Sequence, residues 1–250
     1  MNKKIAYFRF YAELNDFLPI EKHKQNIHYS FWGSPTVKDC IEALGVPHTE
    51  VHLILVGSTP VDFSYYIEAE DQISVYPIFE LLDISEISPI KPKLLPVMAF
   101  ILDTHLGKLT RYLRMLGFDS LYGNYLTDQE IIDRSFTDNR VILTRDIGIL
   151  KHKSMVHGYY LRSNLPGEQI REVIDRFKLT NSLKPFTRCM VCNGLLQLVD
   201  KQMVIEQLLP QTRRDFTEFY RCTKCGKIYW KGSHYERMLK MVDNLRDKQE

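Results

Sequence analysis

The sequence lacks the signatures of several large enzyme classes and of membrane proteins. No Walker loop, glycine-rich dinucleotide motif, Gly-x-Ser-x-Gly elbow or His-Glu-x-x-His pair occurs among its 250 residues. These absences remove support for P-loop NTPases, nicotinamide-dependent enzymes, serine hydrolases and zinc proteases. No apolar run approaches the roughly 20 residues that a bilayer-spanning helix needs, and no N-terminal signal peptide is apparent. We therefore expect a protein of the reducing cytoplasm with no membrane partner.

Charge is distributed unevenly along the chain, although the formal net charge is only +2. Residues 1–97 carry 8 Lys and Arg against 13 Asp and Glu, whereas residues 98–250 carry 25 against 18. This asymmetry indicates two modules, and a chain of 250 residues with 44% hydrophobic side chains can bury more than one core. We expect any polyanionic partner to meet the second, basic module.

Cysteine is scarce, and four of the five residues fall into two pairs. Cys189 and Cys192 form the first pair, and Cys222 and Cys225 form the second. Two thiolates separated by two residues can face one metal ion, and two such pairs complete a tetrahedral zinc site. The insert between the pairs exceeds the about 15–20 residues usual for this pattern, which predicts a zinc ribbon with an enlarged hairpin. Two disulfides are the alternative, but a chain of this length does not need such staples. The fifth cysteine, Cys40, lies in an apolar helical pattern and is expected in a core.

The first module has the pattern of a small mixed α and β domain. The predicted elements are strands at residues 5–11, 27–32, 51–56 and 73–76, with a helix after the second strand that ends at Gly45. The order ββαββ fits a ubiquitin-like β-grasp domain over residues 1–83. Three prolines and little periodicity predict a linker over residues 84–97.

From residue 98 the pattern changes to alternating strands and helices. The predicted strands are residues 100–102, 119–122, 141–143 and 158–161, and the predicted helices begin near Leu106, Thr127 and Pro166. Alternation of this kind predicts a parallel sheet with helices on its faces.

Two aspartates lie just beyond buried strands of this sheet. Asp103 follows residues 100–102, and Asp146 follows the strand at residues 141–143. Open α/β sheets bind ligands beyond the carboxyl ends of their strands, and neighbouring carboxylates need a cation because like charges raise each other's pKa. We therefore expect these two residues to hold Mg²⁺ or Mn²⁺, with Asp128 or Glu130 as a third acid. Taken singly, each aspartate also fits a helix N-cap.

Basic residues lie close to both aspartates in the sequence. Lys108, Arg111 and Arg114 occupy the helix that follows Asp103, and Arg145 precedes Asp146. This placement predicts contacts with a phosphate backbone. A solvated helix face and an ordinary ion pair are the alternatives.

Several separate motifs together resemble the Mut-seven C-terminal RNase family. They are Phe100-Ile-Leu-Asp103, Leu106-Gly-Lys-Leu109, the run from Arg111 to Asp119, Leu143-Thr-Arg-Asp146, the two cysteine pairs and Lys231-Gly-Ser-His234. The resemblance covers roughly residues 98–240. It implies a PIN-like nuclease domain at residues 98–183 and a zinc ribbon at 184–240, and residues 241–250 are expected to form a charged tail. The first module resembles the ubiquitin-like module that precedes this domain in bacterial members.

The resemblance implies a divalent-metal-dependent nuclease that acts on RNA. Carried over by position, Asp103 is the acid of the first strand and Asp146 is the acid of a Thr-x-Asp-like motif. Asp128 or Glu130 is the acid on the intervening helix.

The chain departs from the family pattern at two points. Many PIN nucleases have a fourth acid, but the stretch after the strand at residues 158–161 offers only Ser163 and Asn164, so the number of catalytic metal ions stays open. Sulfur carriers related to the first module need a free terminal Gly-Gly, which this chain does not contain. A docking role for the β-grasp is therefore favoured over sulfur transfer.

The sequence thus predicts a Mg²⁺- or Mn²⁺-dependent ribonuclease with a structural zinc ribbon that aids RNA binding. The ribbon carries an excess of Lys and Arg, and Tyr220, Tyr229 and Trp230 beside its second cysteine pair suit stacking on single-stranded RNA. Packing within the ribbon is the alternative for these rings. The alternative function is a non-catalytic RNA-binding adaptor that recruits a protein partner through the β-grasp. Neither the RNA substrate nor the oligomeric state follows from the sequence.

Overall fold

The computed structural model describes residues 3–78, 84, 86–90, 98–155 and 157–246, which form two compact units. The first unit comprises residues 1–96 and 144–160, and the second comprises residues 97–143 and 161–250. The predicted nuclease domain, residues 98–183, is therefore divided between the units. Part of the predicted linker at residues 84–97 lies outside the described residues, but Ser88 is buried in the first unit and its hydroxyl donates to the His52 carbonyl oxygen at 2.6 Å.

The strands follow the predicted pattern with shifts of one or two residues. They are β1 Lys4–Phe10, β2 Ile27–Phe31, β3 Leu53–Val56, β4 Thr59–Val61, β5 Gln72–Tyr76, β6 Ala99–Leu102, β7 Asp119–Tyr122, β8 Val141–Thr144, β9 Gly158–Tyr160, β10 Leu196–Val199, β11 Phe219–Cys222 and β12 Ile228–Trp230. Strand β4 was not predicted, and no bounds were predicted for the ribbon strands β10, β11 and β12. Strand β4 returns from the turn at Gly57, where φ is +60°, to pair with β3.

The α-helices of the described residues range from 4 residues in the shortest to 14 in the longest. They are α1 Val37–Leu44, α2 Gly107–Met115, α3 Asp128–Thr137, α4 Ile147–Leu150, α5 Pro166–Arg176, α6 Pro210–Asp215 and α7 Ser233–Arg246. Single 3-10 turns occur at Ala12–Phe17, Ile20–Lys22, His48–Glu50, Thr104–Leu106, Thr180–Ser182, Lys201–Met203 and Ile205–Gln207. Within the described ranges, no helix is long and apolar enough to cross a membrane.

The first unit contains a five-stranded sheet of order β2-β1-β5-β3-β4 with α1 packed on it, which is the ubiquitin-like β-grasp arrangement. Strand β1 pairs antiparallel with β2 and parallel with β5. Alternate side chains of β1 (Ala6, Phe8 and Phe10) enter the core, as expected for a half-buried strand. Thr36 caps α1 in a capping box with Asp39. Cys40 is fully buried in this core as predicted, and burial raises its pKa to about 11.

The second unit contains a parallel sheet in which β6 lies between β7 and β8. All three strands are short, and β6 and β8 are largely buried because helices cover the sheet, whereas only Ser120 is fully buried in β7. Phe100 of β6 anchors the core, with its ring centroid 6.0 Å from that of Phe118 and 5.7 Å from that of Phe177. The carboxyl end of β6 leads directly into Asp103.

The ribbon of the second unit is an antiparallel sheet of order β10-β11-β12. The long insert between β10 and β11 forms two 3-10 turns and helix α6, which matches the predicted enlarged hairpin. Its buried apolar cluster is small and consists of Val204, Leu208 and Phe219. Helix α7 follows the ribbon and includes residues 241–246, where a charged tail was predicted. The helix continues there because Val242 and Leu245 are buried.

Candidate metal centre and strand-end carboxylates

The four predicted zinc ligands converge in the second unit. The four Sγ atoms all lie within 4.8 Å of one another. The Sγ atoms of Cys192 and Cys222 are 3.3 Å apart, and those of Cys189 and Cys225 are 3.7 Å apart. A tetrahedral zinc ion with Zn–S bonds of about 2.3 Å separates its sulfurs by about 3.8 Å, so this cluster can hold a metal such as zinc. Across the part of the chain that the structure describes, no other set of three or more His, Cys, Asp or Glu side chains comes together in this way.

The backbone of each cysteine pair is folded tightly around the sulfurs. Asn193 and Gly226 follow the two pairs with φ of +67° and +72°, which turns the chain back after each pair. The backbone N–H of Cys225 points toward the Cys222 sulfur at 3.5 Å. A Cβ on Gly194 would lie 2.9 Å from the same sulfur, so only glycine fits at that position.

The pKa values of the Cys189 and Cys192 thiols are shifted in opposite directions. Burial raises the pKa of Cys189, but hydrogen bonds from the Tyr229 hydroxyl, 3.1 Å from the sulfur, and from the backbone N–H groups of Cys192 and Val191 outweigh it and lower the pKa to about 6. Burial and the neighbouring thiols raise the pKa of Cys192 to about 12. A divalent cation resolves this conflict because it displaces the protons of the thiols that it binds. The donor set therefore fits zinc chemically as well as geometrically.

Arg114 fastens the first cysteine pair to the sheet of the second unit. The side chain is buried, and its Nε donates to the Ser120 carbonyl oxygen at 2.9 Å. Its Nη1 donates to the carbonyl oxygens of Val191 at 2.7 Å and Met190 at 3.3 Å. A guanidinium held in this way is not available to a phosphate backbone. We therefore leave Arg114 out of the proposed RNA contacts, which corrects the sequence-based assignment.

A second polar network joins the same two parts of the unit. Asp119 at the start of β7 lies 2.6 Å from Nη1 of Arg140 and 3.4 Å from Nη2 of Arg188. The Asn193 amide donates to Asp119 Oδ1 at 2.9 Å and accepts from the Ser120 backbone N–H at 3.1 Å. Sequence reasoning missed this network because its members are far apart in the chain and share no spacing.

Asp103 lies where β6 ends, as predicted, and is only 7% exposed. Its Oδ1 accepts hydrogen bonds from the backbone N–H of His105 and the hydroxyl of Thr104, both at 3.2 Å. The residue thus caps the turn that leads into α2. Lys108 and Arg111 are exposed on α2 and remain candidates for phosphate contacts.

Asp128 and Glu130 are exposed in the first turn of α3. Glu130 forms a capping box with Thr127: its Oε2 accepts from the Thr127 backbone N–H at 2.8 Å and from the Thr127 hydroxyl at 3.0 Å. These hydrogen bonds hold the pKa of Glu130 below its ordinary value. Asp128 takes no part in the box, so it is the better candidate for a third acid.

Asp146 and Arg145 belong to the first unit. Asp146 is exposed and caps α4, where its Oδ1 accepts from the Gly148 backbone N–H at 2.6 Å. Its own N–H donates to the Thr144 hydroxyl at 2.9 Å. The guanidinium carbon of Arg145 lies 5.9 Å from the centroid of the Tyr160 ring, within cation–π range.

The structure brings the cysteines together and leaves the carboxylates in two separately described units. Asp103, Asp128 and Glu130 lie in the second unit, and Asp146 lies in the first. Each strand-end aspartate occupies a capping position. The carboxylate metal site therefore stays a prediction, whereas the thiol cluster is a geometric finding.

Aromatic side chains of the ribbon and α7 surround a cavity of about 310 Å³ in the second unit. Tyr220, Tyr229 and Trp230 all line it, together with Phe186 and Tyr235, whose ring centroids are 4.5 Å apart. Lys231 also lines the cavity and forms an ion pair with Glu218 at 2.8 Å. The three aromatic residues singled out in the sequence thus share one concave surface.

Family models match both modules of the chain. A family model described as the Mut7-C RNAse domain matches residues 98–242, and a model described as Mut7-C ubiquitin matches residues 3–83. The first match covers more than half of the chain and includes all four clustered cysteines and both strand-end aspartates. No curated protein and no solved structure matches the chain.

Proposed function

The chain belongs to the Mut7-C RNAse domain family, and on this premise we propose that it is a divalent-metal-dependent ribonuclease that hydrolyses RNA phosphodiester bonds. The observation that carries the proposal is the family match over residues 98–242, because this stretch contains both strand-end aspartates and the thiol cluster. Chemistry is assigned to the aspartates and structural support to the thiols, since Mg²⁺ and Mn²⁺ prefer oxygen ligands and a four-thiol site suits zinc.

Asp103 and Asp146 are the residues that we assign to the catalytic metal. A carboxylate offers about four lone-pair positions on two oxygens, so a helix-capping hydrogen bond and metal ligation are compatible. In Asp146 the cap occupies Oδ1, and Oδ2 is therefore the atom that we assign to the metal. A Mg²⁺ or Mn²⁺ ion held by these oxygens would supply Lewis acidity toward a phosphate oxygen and lower the pKa of a bound water. Asp128 is the third acid in this proposal, with Glu130 as the alternative.

Lys108, Arg111 and Arg145 hold the RNA backbone in the proposed enzyme. The first two side chains are exposed on α2, the helix that begins a few residues after Asp103. Their charges would orient a phosphate without reading base sequence. Arg145 immediately precedes Asp146 and is partly exposed.

The ribbon contributes a site for an unpaired base. The cavity lined by Tyr220, Tyr229 and Trp230 offers ring faces for stacking, which is the sequence-tolerant way in which proteins hold single strands. Phe186 and Tyr235 complete its aromatic wall. Exposed lysines of the ribbon, among them Lys231, supply positive charge for the adjoining phosphates.

Cleavage of a labelled single-stranded RNA in Mn²⁺ tests the proposal. We expect Asp103→Asn, Asp146→Asn and the double variant to lose activity by about 10²-fold or more, because even the outer partners of metal ligands typically contribute about 10- to 100-fold. Asp133→Asn is the matched control, since this exposed residue of α3 bonds only to its helix neighbour Gln129 among the contacts described. Cleavage by the double variant at the wild-type rate would exclude the assigned site.

A non-catalytic RNA-binding adaptor is the second candidate. It is favoured by the capping hydrogen bonds that already engage Asp103, Glu130 and Asp146, and by the lack of an acid among residues 161–164, directly after β9. In this case the protein binds RNA through the ribbon and recruits a protein through the β-grasp. RNA binding without cleavage by the zinc-loaded wild type, over varied RNAs and with either metal, would select the adaptor.

A further inference from the structure

The β-grasp unit includes a chain segment that the sequence assigns to the nuclease domain. Residues 144–160 belong to the first unit and contain α4, β9 and the proposed metal ligand Asp146. Ile147, the residue after Asp146, and Tyr160 pack against the buried core of the β-grasp. The ring centroid of Tyr160 lies 5.1 Å from that of Phe17 in an edge-to-face arrangement. The apolar core of the first unit is therefore shared between two distant parts of the chain.

Polar side chains of the β-grasp bind the backbone of this segment. His48 is buried, and its Nε2 lies 3.0 Å from the Met155 carbonyl oxygen, while its Nδ1 lies 2.6 Å from Glu42 Oε1. In the opposite direction, Lys151 of the segment donates a hydrogen bond from its Nζ to the Glu42 carbonyl oxygen at 2.8 Å. The two parts thus exchange hydrogen bonds both ways.

Glu50 is a buried carboxylate that binds the same segment. Its side chain is only 2% exposed, and Oε1 accepts a hydrogen bond from the Tyr160 backbone N–H at 2.8 Å. A carboxylate is costly to bury unless hydrogen bonds compensate for the lost water, so a buried glutamate indicates a surface shaped for its partner. The partner here is the backbone of β9, at the far end of the segment that begins with Asp146.

We propose that the β-grasp domain is an intramolecular brace for the Asp146 segment, with Glu50 and His48 as its positioning residues. They hold the segment at β9 and at Met155, and the core holds it at Ile147, one residue from the carboxylate. The ubiquitin-like module thereby acts on its own chain through this surface. Its effect on catalysis rests on the proposed ribonuclease function, whereas its effect on the order of residues 147–160 does not.

Hydrogen exchange of the full chain, followed by mass spectrometry, tests the brace directly. In Glu50→Ala and in the His48→Ala, Glu50→Ala double variant, we expect the amides of residues 147–160 to exchange about 10- to 100-fold faster, because local opening loses these bonds. Glu50→Gln keeps an acceptor oxygen for the Tyr160 N–H and should lie close to wild type. Glu21→Ala, an exposed glutamate of the same unit, is the matched control. Unchanged exchange in the double variant would overturn the brace, and so would equal acceleration by Glu21→Ala.

An RNA cleavage assay shows whether the brace positions Asp146 or only stabilises the segment. If the brace places Asp146, Glu50→Ala raises the Mn²⁺ concentration for half-maximal cleavage by about 10-fold, and Glu50→Gln restores it. Faster exchange with an unchanged Mn²⁺ requirement would overturn the positioning role. If Glu50→Ala fails to fold, the same comparison is made between His48→Ala, in which the Mn²⁺ requirement should rise, and Glu50→Gln, in which it should stay close to wild type. If the wild type itself does not cleave, the proposed function fails, and the exchange experiment alone decides the brace.

Discussion

The β-grasp and the zinc ribbon differ in the size of the apolar core that stabilises them. In the described residues, the buried core cluster of the first unit contains seventeen apolar side chains, whereas the ribbon's own cluster contains three. A core of three side chains does not offset the conformational entropy of ordering a ribbon. The difference teaches that the β-grasp is held by burial, whereas the ribbon depends on its attachment to α2 and β7 and, as we propose, on a metal ion in its thiol cluster.

Loss of the metal should have the largest effect on the ribbon and should leave the β-grasp unchanged. Zinc binding contributes about 10–16 kcal/mol to the folding of small zinc modules, so Cys189→Ser with Cys192→Ser should unfold the ribbon. Hydrogen exchange should rise to the unprotected rate in residues 188–232 and stay unchanged in β1–β5. Protein purified under reducing conditions should contain one zinc ion per chain, and the double variant should contain none.

Cys40 gives the reciprocal control. It is buried in the first core and lies outside the thiol cluster, so Cys40→Ala should leave the zinc content unchanged and destabilise only the first unit. A wild-type protein without zinc, or a metal-free ribbon that keeps its exchange protection, would break the comparison.

Removal of Arg114 should have the next largest effect and should be confined to the second unit. Arg114→Met leaves the carbonyl oxygens of Ser120 and Val191 without this donor, which we expect to cost about 3 kcal/mol in the free energy of unfolding. Arg114→Lys keeps the charge but not the planar fork, so its loss should be intermediate. Denaturant unfolding and the rate of zinc release to a chelator measure both.

Arg111 provides the matched control because it is exposed on the same helix. Arg111→Met should change stability by less than about 0.5 kcal/mol, while it weakens RNA binding. Equal stability of the Arg114→Met and Arg111→Met variants would show that the ribbon is not held through Arg114.

Local patterns in the sequence predicted most of the elements, because the forces that set them act over a few residues. The helix starts near Thr127 and Pro166 are examples, and the structure confirms them. Helix α7 was missed because its buried face is narrow, with only Val242 and Leu245 buried among its many polar residues.

Contacts between distant residues were not predictable from one sequence. Arg114 follows the same basic pattern as Lys108 and Arg111, and only the fold shows that it turns inward to the first cysteine pair. Residues 144–160 likewise read as part of the α/β module, although their apolar side chains complete the β-grasp core. The carboxylate site stays a prediction, because its residues follow from strand ends but its assembly would depend on tertiary structure.

The smallest predicted effect concerns Asp119, whose contribution to the free energy of unfolding should depend on pH. Burial alone would raise the pKa of Asp119, but hydrogen bonds from Arg140 and Asn193 and the charges of Arg140 and Arg188 outweigh it and hold the pKa below its ordinary value. A depressed pKa in the folded state means that the carboxylate stabilises the protein above its ordinary pKa, and that this contribution is lost as the pH falls through the folded value.

Asp119→Asn should therefore lower the free energy of unfolding of the second unit by about 1–2 kcal/mol at pH 7, and the gap from wild type should close below about pH 4. Zinc content is followed in parallel and the gap is compared where both proteins retain the metal, because a ribbon without zinc would lose the Asn193 and Arg188 contacts of Asp119. Asp138→Asn is the control, because Asp138 is exposed and pairs with the same Arg140 only at 3.4 Å, so its gap should be near zero at every pH. A gap for Asp119→Asn that stays constant down to pH 3 would mean that the carboxylate contributes shape and hydrogen bonding but not charge. The charge of Asp119 would then add nothing to the attachment of the ribbon.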